Sequence, residues 1–257
     1  MKKSFCLIVM AVVALAAWSQ TPLRLSTYKG TSVERYDGQT CDVTLDRYLF
    51  NGWNTISLPF AISEQEIDEI LGKGVKLEQL VGVSQHGTEI TLCFQDCKSE
   101  GIQANRPYIL YYPGGTGTKT LRVNAQVANK ESKVTMTTGG GVEVIMGGAA
   151  TQTNGNGLYG ILAVNNNDAN FTYIDAGNVL YATRCFINIP GDQKFTLTAY
   201  HLPTGAVTSI NEIAAENDIV DVYNLLGMQV AHGIKAGKVN DLEPNIYIVN
   251  GRKVLVR

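Results

Sequence analysis

The sequence predicts an all-β protein: a β-sandwich-like main domain, a small C-terminal β module and one short helix near residues 63–71. Three observations carry this. Apolar residues alternate with polar ones over many short stretches, the period of a half-buried strand. Turn residues interrupt those stretches at intervals of about 8–12 residues, and glycine alone supplies 26 of the 257 positions. Charged residues make up only 17% of the chain, below the roughly 25% of ordinary soluble domains, which leaves little material for solvated helices.

The N-terminus reads as an address. Met1-Lys2-Lys3, an apolar run from Phe5 to Trp18 and the small-residue exit Ala17-Trp18-Ser19 predict a secretory signal peptide over 1–19. That run is shorter than the roughly 20 residues a membrane span needs, and no later run is long enough, so no transmembrane span is expected in the mature chain. Cleavage takes Lys2 and Lys3 from the 21 basic residues and none of the 23 acids, so the formal charge moves from −2 to −4. With no basic block, nucleic acid is excluded as the main partner.

The main domain is expected over 20–203. Residues 32–36 and 40–50 flank Asp37-Gly38 and predict a hairpin, with Val43 and Leu45 on one face. Residues 54–58 form a strand that Pro59 ends. Ser63 and Glu66 then make a capping box, Ile62 and Ile67 stand at the hydrophobic-staple positions, and Gly72 closes the helix. Glu64, Glu66, Asp68 and Glu69 suit the positive end of that helix and are read as solvated rather than catalytic.

Strands resume over 75–83, turn at His86-Gly87, and continue with Ile90, Leu92 and Phe94 on one face. Residues 107–112 and 120–123 flank a Pro-Gly turn at 113–117. Glycine and asparagine turns at 139–141, 147–148 and 154–157 separate later strands, and two more are expected over 179–200 around Pro190-Gly191. Pro203-Thr204-Gly205 opens a linker, 204–217, in which Ser209 and Glu212 offer a second capping box. The C-terminal module, 218–257, ends in two short strands joined by Asn250-Gly251, the strongest short hairpin signal.

No nucleophile elbow, zinc-protease helix, Walker loop or dinucleotide fingerprint is present. Ser26-Thr27-Tyr28-Lys29 matches S-x-x-K without its companion motifs and is read as chance. His86 falls on a turn and His232 in the tail, so neither serves Cys93 or Cys185 as a base. Catalytic residues, metal and cofactor are therefore all expected to be none. Cys41, Cys93, Cys97 and Cys185 could form two disulfides in any of three connectivities, or remain thiols; Cys93-x3-Cys97 lacks a histidine partner for zinc.

A glycosidase would need two converging carboxylates, for which Glu143, Asp175 and Asp192 are available. Asn165-Asn166-Asn167-Asp168, with Asn170 and Asp175 beyond it, carries oxygen ligands that suit calcium but lacks the spacing of a calcium loop. Tyr108, Tyr111, Tyr112, Tyr159, Tyr173, Tyr181 and Trp53 could present flat faces to sugar rings. Alternation commits at least one face of the 108–112 strand to the core, and Trp53 is read as a packing anchor.

Two stretches carry a family resemblance. In the tail, Val222, Tyr223, Leu225, Gly227 and Val230 form one segment, Leu242 and Tyr247 a second, and Lys253, Val254 and Val256 a closing basic, apolar strand. This resembles the C-terminal sorting domains of type IX secretion cargo in Bacteroidota, with Asn245 where glycine is usual. GWNTISLPF (52–60), GIQANRPYIL (101–110) and LYATRCFINI (180–189) together resemble the W-N-T-x-x-L-P-F β modules of large secreted Bacteroidales proteins.

The resemblance implies an exported protein, extracellular or on the outer-membrane surface and otherwise periplasmic. Its tail would engage the export machinery for sorting or surface attachment. The main domain would serve adhesion, contact with glycan, matrix or another surface protein, or assembly, without catalysis. The alternatives are a purely structural module whose tail completes the fold, and a secreted glycan-active enzyme.

Overall fold

The computed structural model describes residues 21–28, 33–162, 166–202, 207–208, 213–224, 227–243 and 245–256. The signal-peptide expectation at 1–19, Leu225, Pro203-Thr204-Gly205 and the capping box at Ser209 and Glu212 lie outside them. The first part of the chain contributes β1 (Thr21–Ser26), β2 (Thr40–Leu49), β3 (Gly52–Ile56), α1 (Glu64–Leu71), β4 (Lys76–His86), β5 (Glu89–Asp96), β6 (Tyr108–Tyr112) and β7 (Gly117–Gln126). Then follow β8 (Lys133–Thr137), β9 (Glu143–Gly148), β10 (Thr153–Asn154), β11 (Tyr159–Ile161), β12 (Phe171–Tyr173), β13 (Val179–Leu180), β14 (Cys185–Asn188) and β15 (Thr196–His201). The C-terminal part adds β16 (Val207–Thr208), β17 (Ile219–Asn224), β18 (Gln229–Lys235), β19 (Asn245–Val249) and β20 (Arg252–Val256). The fold is all-β, with one short α-helix among the described residues.

The main body stacks three sheets where a two-layer sandwich was expected. The middle sheet, ordered β15-β5-β4-β6-β3, lies between the sheet β1-β2-β7 and the sheet β12-β11-β14-β9-β8. Strand alternation shows why. On β6, Tyr108, Leu110 and Tyr112 enter a core shared with Val43, Leu45 and Leu121 of the first sheet. Ile109, between them, enters a second core with Met146 and Ile187 of the third sheet. Successive side chains point to opposite faces, so a strand buried on both must be apolar throughout, as Tyr-Ile-Leu-Tyr-Tyr nearly is.

Helix α1 covers one edge of the first core with Ile67 and Leu71. Its capping box forms as expected: Ser63 Oγ accepts from the Glu66 amide at 3.3 Å and Glu66 Oε2 accepts from the Ser63 amide at 2.8 Å. The hairpin expected around Asp37-Gly38 does not form. Residues 34–36 make a single 3-10 turn, and β1 runs parallel to β2, so the connection is a crossover. Gly38, at φ 75°, turns the chain so that its amide donates to Val127 O at 2.8 Å.

The C-terminal sheet, β16-β20-β19-β17-β18, closes a core of its own from Val220, Val222, Tyr247, Val249, Val254 and Val256, covered by Ala236 and Val239 of a 3-10 turn. Asn250 (φ 49°) and Gly251 (φ 73°) make the expected tight turn of the β19–β20 hairpin. The 204–217 stretch is not wholly a linker. Val207–Thr208 pairs in parallel with β20, and Ala214 is buried in the module's core.

The opposite face of β19 meets the body. Ile246 is fully buried with Cys93 and Leu202, and Gly82 leaves the space it needs, since a Cβ there would lie 3.3 Å from Ile246. Lys253 Nζ hydrogen-bonds the Tyr200 hydroxyl and sits 4.4 Å from that ring's centroid.

Candidate functional site

The segments 52–60, 101–110 and 180–189 converge on one hydrogen-bonded spine through the body. Asn54 clamps the β2–β3 turn, its amide donating to Phe50 O and Gly52 O while its oxygen accepts from the Phe50 amide. Thr55 Oγ1 accepts from the Cys185 amide at 2.9 Å. The Ser57 amide donates to Thr183 O at 3.0 Å, and Ser57 Oγ donates to Asn105 O at 3.0 Å. Ile62 and Ile102 exchange main-chain bonds at 3.0 and 2.8 Å. A buried polar group must find a partner, and here each segment supplies the others'.

Beside this spine opens a pocket of about 330 Å³, lined by Phe50, Thr55, Tyr173, Asp175, Tyr181 and Arg184 among others. Thr183, with φ 63°, is a β-branched residue in left-handed backbone, a costly conformation that turns the chain between β13 and β14. Arg184 follows it. Its Nε is buried without a partner, and its guanidinium carbon lies 5.8 Å from the Phe50 ring centroid.

Behind the pocket wall lies Arg47, the largest fully buried side chain. Its Nη2 donates to Thr55 O at 2.6 Å and its Nη1 to Tyr48 O at 3.0 Å, while Nε has no partner. Burial, and then repulsion from Arg184, pulls the Arg47 guanidinium well below its ordinary range; burial lowers Arg184 too. The other groups acting on them are Cys185 and Tyr28, with Tyr181 also acting on Arg184.

The aromatic candidates divide cleanly. Trp53, Tyr108, Tyr112 and Tyr159 are buried. Trp53 stacks on the His201 ring at 4.3 Å, and His201 Nδ1 is 2.6 Å from Oε2 of the buried Glu78, which makes Trp53 a packing anchor. Tyr111 packs edge-on against Trp53. Tyr173 and Tyr181 remain, and both line the pocket.

The four cysteines take the second of the two alternatives the sequence left open. Cys41, Cys93, Cys97 and Cys185 are all free, buried thiols, not disulfides. Cys41 and Cys97 belong to the first core, Cys185 to the second and Cys93 to the contact with Ile246. The sulfurs of Cys97 and Cys185 point to different carbonyls, Leu77 O at 3.5 Å and Tyr108 O at 3.7 Å. Burial pushes the thiols of Cys93, Cys97 and Cys185 up to about 12, and raises Cys41 as well.

The tail residues that carry the sequence resemblance take several structural roles. Val222, Tyr247, Val254 and Val256 form the module's core, and Leu242 packs against it. The Tyr247 hydroxyl donates to Glu243 O at 2.9 Å. Gly227, at φ 78°, makes the turn after β17, Tyr223 is half-buried on that strand, Val230 is exposed on β18, and Lys253 meets Tyr200. A groove of about 770 Å³ runs between module and body, with Leu80, Val134 and Met136 on one side and Glu243 and Asn245 on the other.

Of the three carboxylates available to a glycosidase, Asp175 lines the smaller pocket without Glu143 or Asp192. Asn170 Oδ1 is occupied by the Ala199 amide at 3.3 Å. Among the described residues no group of three or more His, Cys, Asp or Glu is placed to hold a metal, and no helix is long and apolar enough to cross a membrane.

Arg47 and Arg184 escaped the sequence reading. For Arg47 a signal existed: it falls in strict alternation with Cys41, Val43, Leu45 and Leu49, on the inward face of β2. Compared with known proteins, the chain matches no family model, no curated protein and no solved structure.

Proposed function

We propose that this chain is a non-catalytic exported protein, extracellular or on the outer-membrane surface and otherwise periplasmic. Its body makes contact with a glycan, matrix or another surface protein, and its C-terminal module serves sorting or attachment by the export machinery. The observation that carries this reading is the module's separate core: Val222, Tyr247, Val254 and Val256 close on one another rather than on the body. A module with its own core can be recognised, and cut away, without opening the domain it accompanies. The signal-like N-terminus and the sorting-type tail are the sequence grounds for the same reading.

Intact mass and cell fractionation of the native protein from its host test this. The expected result is protein outside the outer membrane, cut between the body and Val207, because Val207 already belongs to the module's sheet. Protein that stays periplasmic, or that is outside with Arg257 in place, overturns the cleaved-signal reading. Burial of Ile246 against Cys93 and Leu202 favours a second reading, in which the tail completes the fold. An uncut chain is the result that reading expects.

A further inference from the structure

Arginine stays protonated in proteins, so Arg47 and Arg184 place two positive charges beside one small pocket. Burying a cation costs several kcal/mol unless an opposite charge and hydrogen bonds offset it. Arg47 has part of that compensation, from the carbonyls of Thr55 and Tyr48. Arg184 is only partly buried: the described residues give its guanidinium the Phe50 ring face and neither a hydrogen bond nor an ion pair, and its Nε is buried without a partner. Carbonyl capping thus accounts for Arg47 as a structural residue. It leaves Arg184 without a structural account.

The rest of the lining narrows what would satisfy Arg184. Tyr173 and Tyr181 contribute aromatic surface to the lining, with Lys194 Nζ 3.8 Å from the Tyr173 ring centroid and Tyr28 packed edge-on to Tyr181. Asp175 is largely exposed and lies 3.9 Å from Lys194 Nζ, so its carboxylate is open to accept hydrogen bonds from hydroxyl groups at the rim. Asn178 lines the same wall. The volume, about 330 Å³, is at the small end of ligand pockets and suits a single sugar residue rather than an extended chain. A planar guanidinium matches carboxylate and sulfate oxygens in pairs, and aromatic rings match the apolar face of a pyranose.

We propose that this pocket binds an acidic saccharide, with the sugar's carboxylate or sulfate on Arg184, Arg47 adding its charge from behind, and ring hydroxyls at Asp175. The proposal deepens the contact role given above and rests on it for its setting. It concerns the body alone and is independent of the fate of the tail.

The test is calorimetric titration of the full chain, at low salt, with three hexasaccharides: one containing glucuronate, one sulfated and one neutral. Wild type is expected to bind at least one acidic hexasaccharide tenfold or more tightly than the neutral one; which acidic probe wins identifies the anion. Arg184→Gln is expected to weaken that binding at least tenfold. Arg252→Gln, which removes the same charge from an exposed position on the module, is expected to leave it unchanged. Tyr181→Ala carries the same expectation as Arg184→Gln and serves if that variant fails to fold. Equal binding of acidic and neutral probes overturns the proposal while leaving a glycan-contact role standing. Equal losses in Arg184→Gln and Arg252→Gln, or no binding of any probe, also overturn it. Fractionation reads the export proposal separately.

Discussion

Thr55→Val tests the spine at a buried hydrogen bond. Thr55 is 2% exposed, and its Oγ1 accepts from the Cys185 amide at 2.9 Å. Valine keeps the volume and the β-branch, so the change opens no cavity and leaves strand preference intact. What it removes is the acceptor. Cys185 N is then a buried donor without a partner, which costs about 1–3 kcal/mol. In a chain of this size 1 kcal/mol moves Tm by about 2–4 °C, so the expected fall is roughly 2–12 °C. Thr55→Ser is the control: it keeps the hydroxyl and loses one methyl, about 1 kcal/mol. Thermal unfolding by circular dichroism gives the order, and hydrogen exchange at the Cys185 amide reads the bond itself. A Thr55→Val protein as stable as wild type, with Cys185 still protected, would refute the argument.

Three further predictions follow from the same geometry. Gly101→Ala should be among the most damaging single-methyl additions, because φ is 69° and the new Cβ would stand 2.4 Å from Ile62 O; together these cost at least about 2 kcal/mol, read as a lower urea midpoint. Ile246→Ala should cost about 2–5 kcal/mol and loosen the module from the body, seen as proteolysis near 203–217 while the body stays resistant; unchanged proteolysis would sink the docking argument. Alkaline pH should destabilise the fold. The thiols of Cys93, Cys97 and Cys185 stay protonated toward about 12 when folded, but lose their protons near 8.5 when unfolded. The folded state then binds more protons, so stability is complete below about pH 8.5 and declines above it, by up to about 1.4 kcal/mol per pH unit for each thiol. Urea midpoints at pH 8 and 10.5 should show the fall, and Cys185→Ala a shallower one; a flat profile contradicts the thiol burial.

Local signals were legible where local physics decides the outcome. Ser63 and Glu66 fix the start of α1 because both partners of the cap lie within one turn. Asn250-Gly251 fixes the last hairpin because both positions must take positive φ. Asp37-Gly38 misled for the complementary reason. The turn is real, but a turn does not say which strand its arms pair with, and β1 supplied the neighbour that 32–36 was expected to be. The third layer was hidden differently. Alternation reveals a half-buried strand, whereas β3 and β6 are buried on both faces, and such a run does not announce how many sheets cover it. The thiols stayed apart because even parity counts cysteines without placing them: Cys97 lies past the end of β5, where its amide turns to Leu77 O.

The position of Arg184 follows from its neighbours more than from itself. On one side, the Thr183 amide donates to Ala149 O at 2.7 Å and its carbonyl accepts from Ser57. On the other, the Cys185 amide is held by Thr55, and β14 continues into its ladder with β9. The backbone around Arg184 is therefore pinned from both directions, at the cost of left-handed geometry at Thr183. A structural arginine shows the opposite pattern, its guanidinium spent on the chain that carries it, as Arg47 does with Thr55 O and Tyr48 O. Fixed main chain under a side chain with an unspent guanidinium is what pre-organised ligand contact requires, because the ordering cost is met before the ligand arrives. The same spine that makes Thr55→Val a stability mutation thus makes Arg184→Gln a binding mutation. Separate responses, Tm for the first and affinity for the second, are what this division of labour demands.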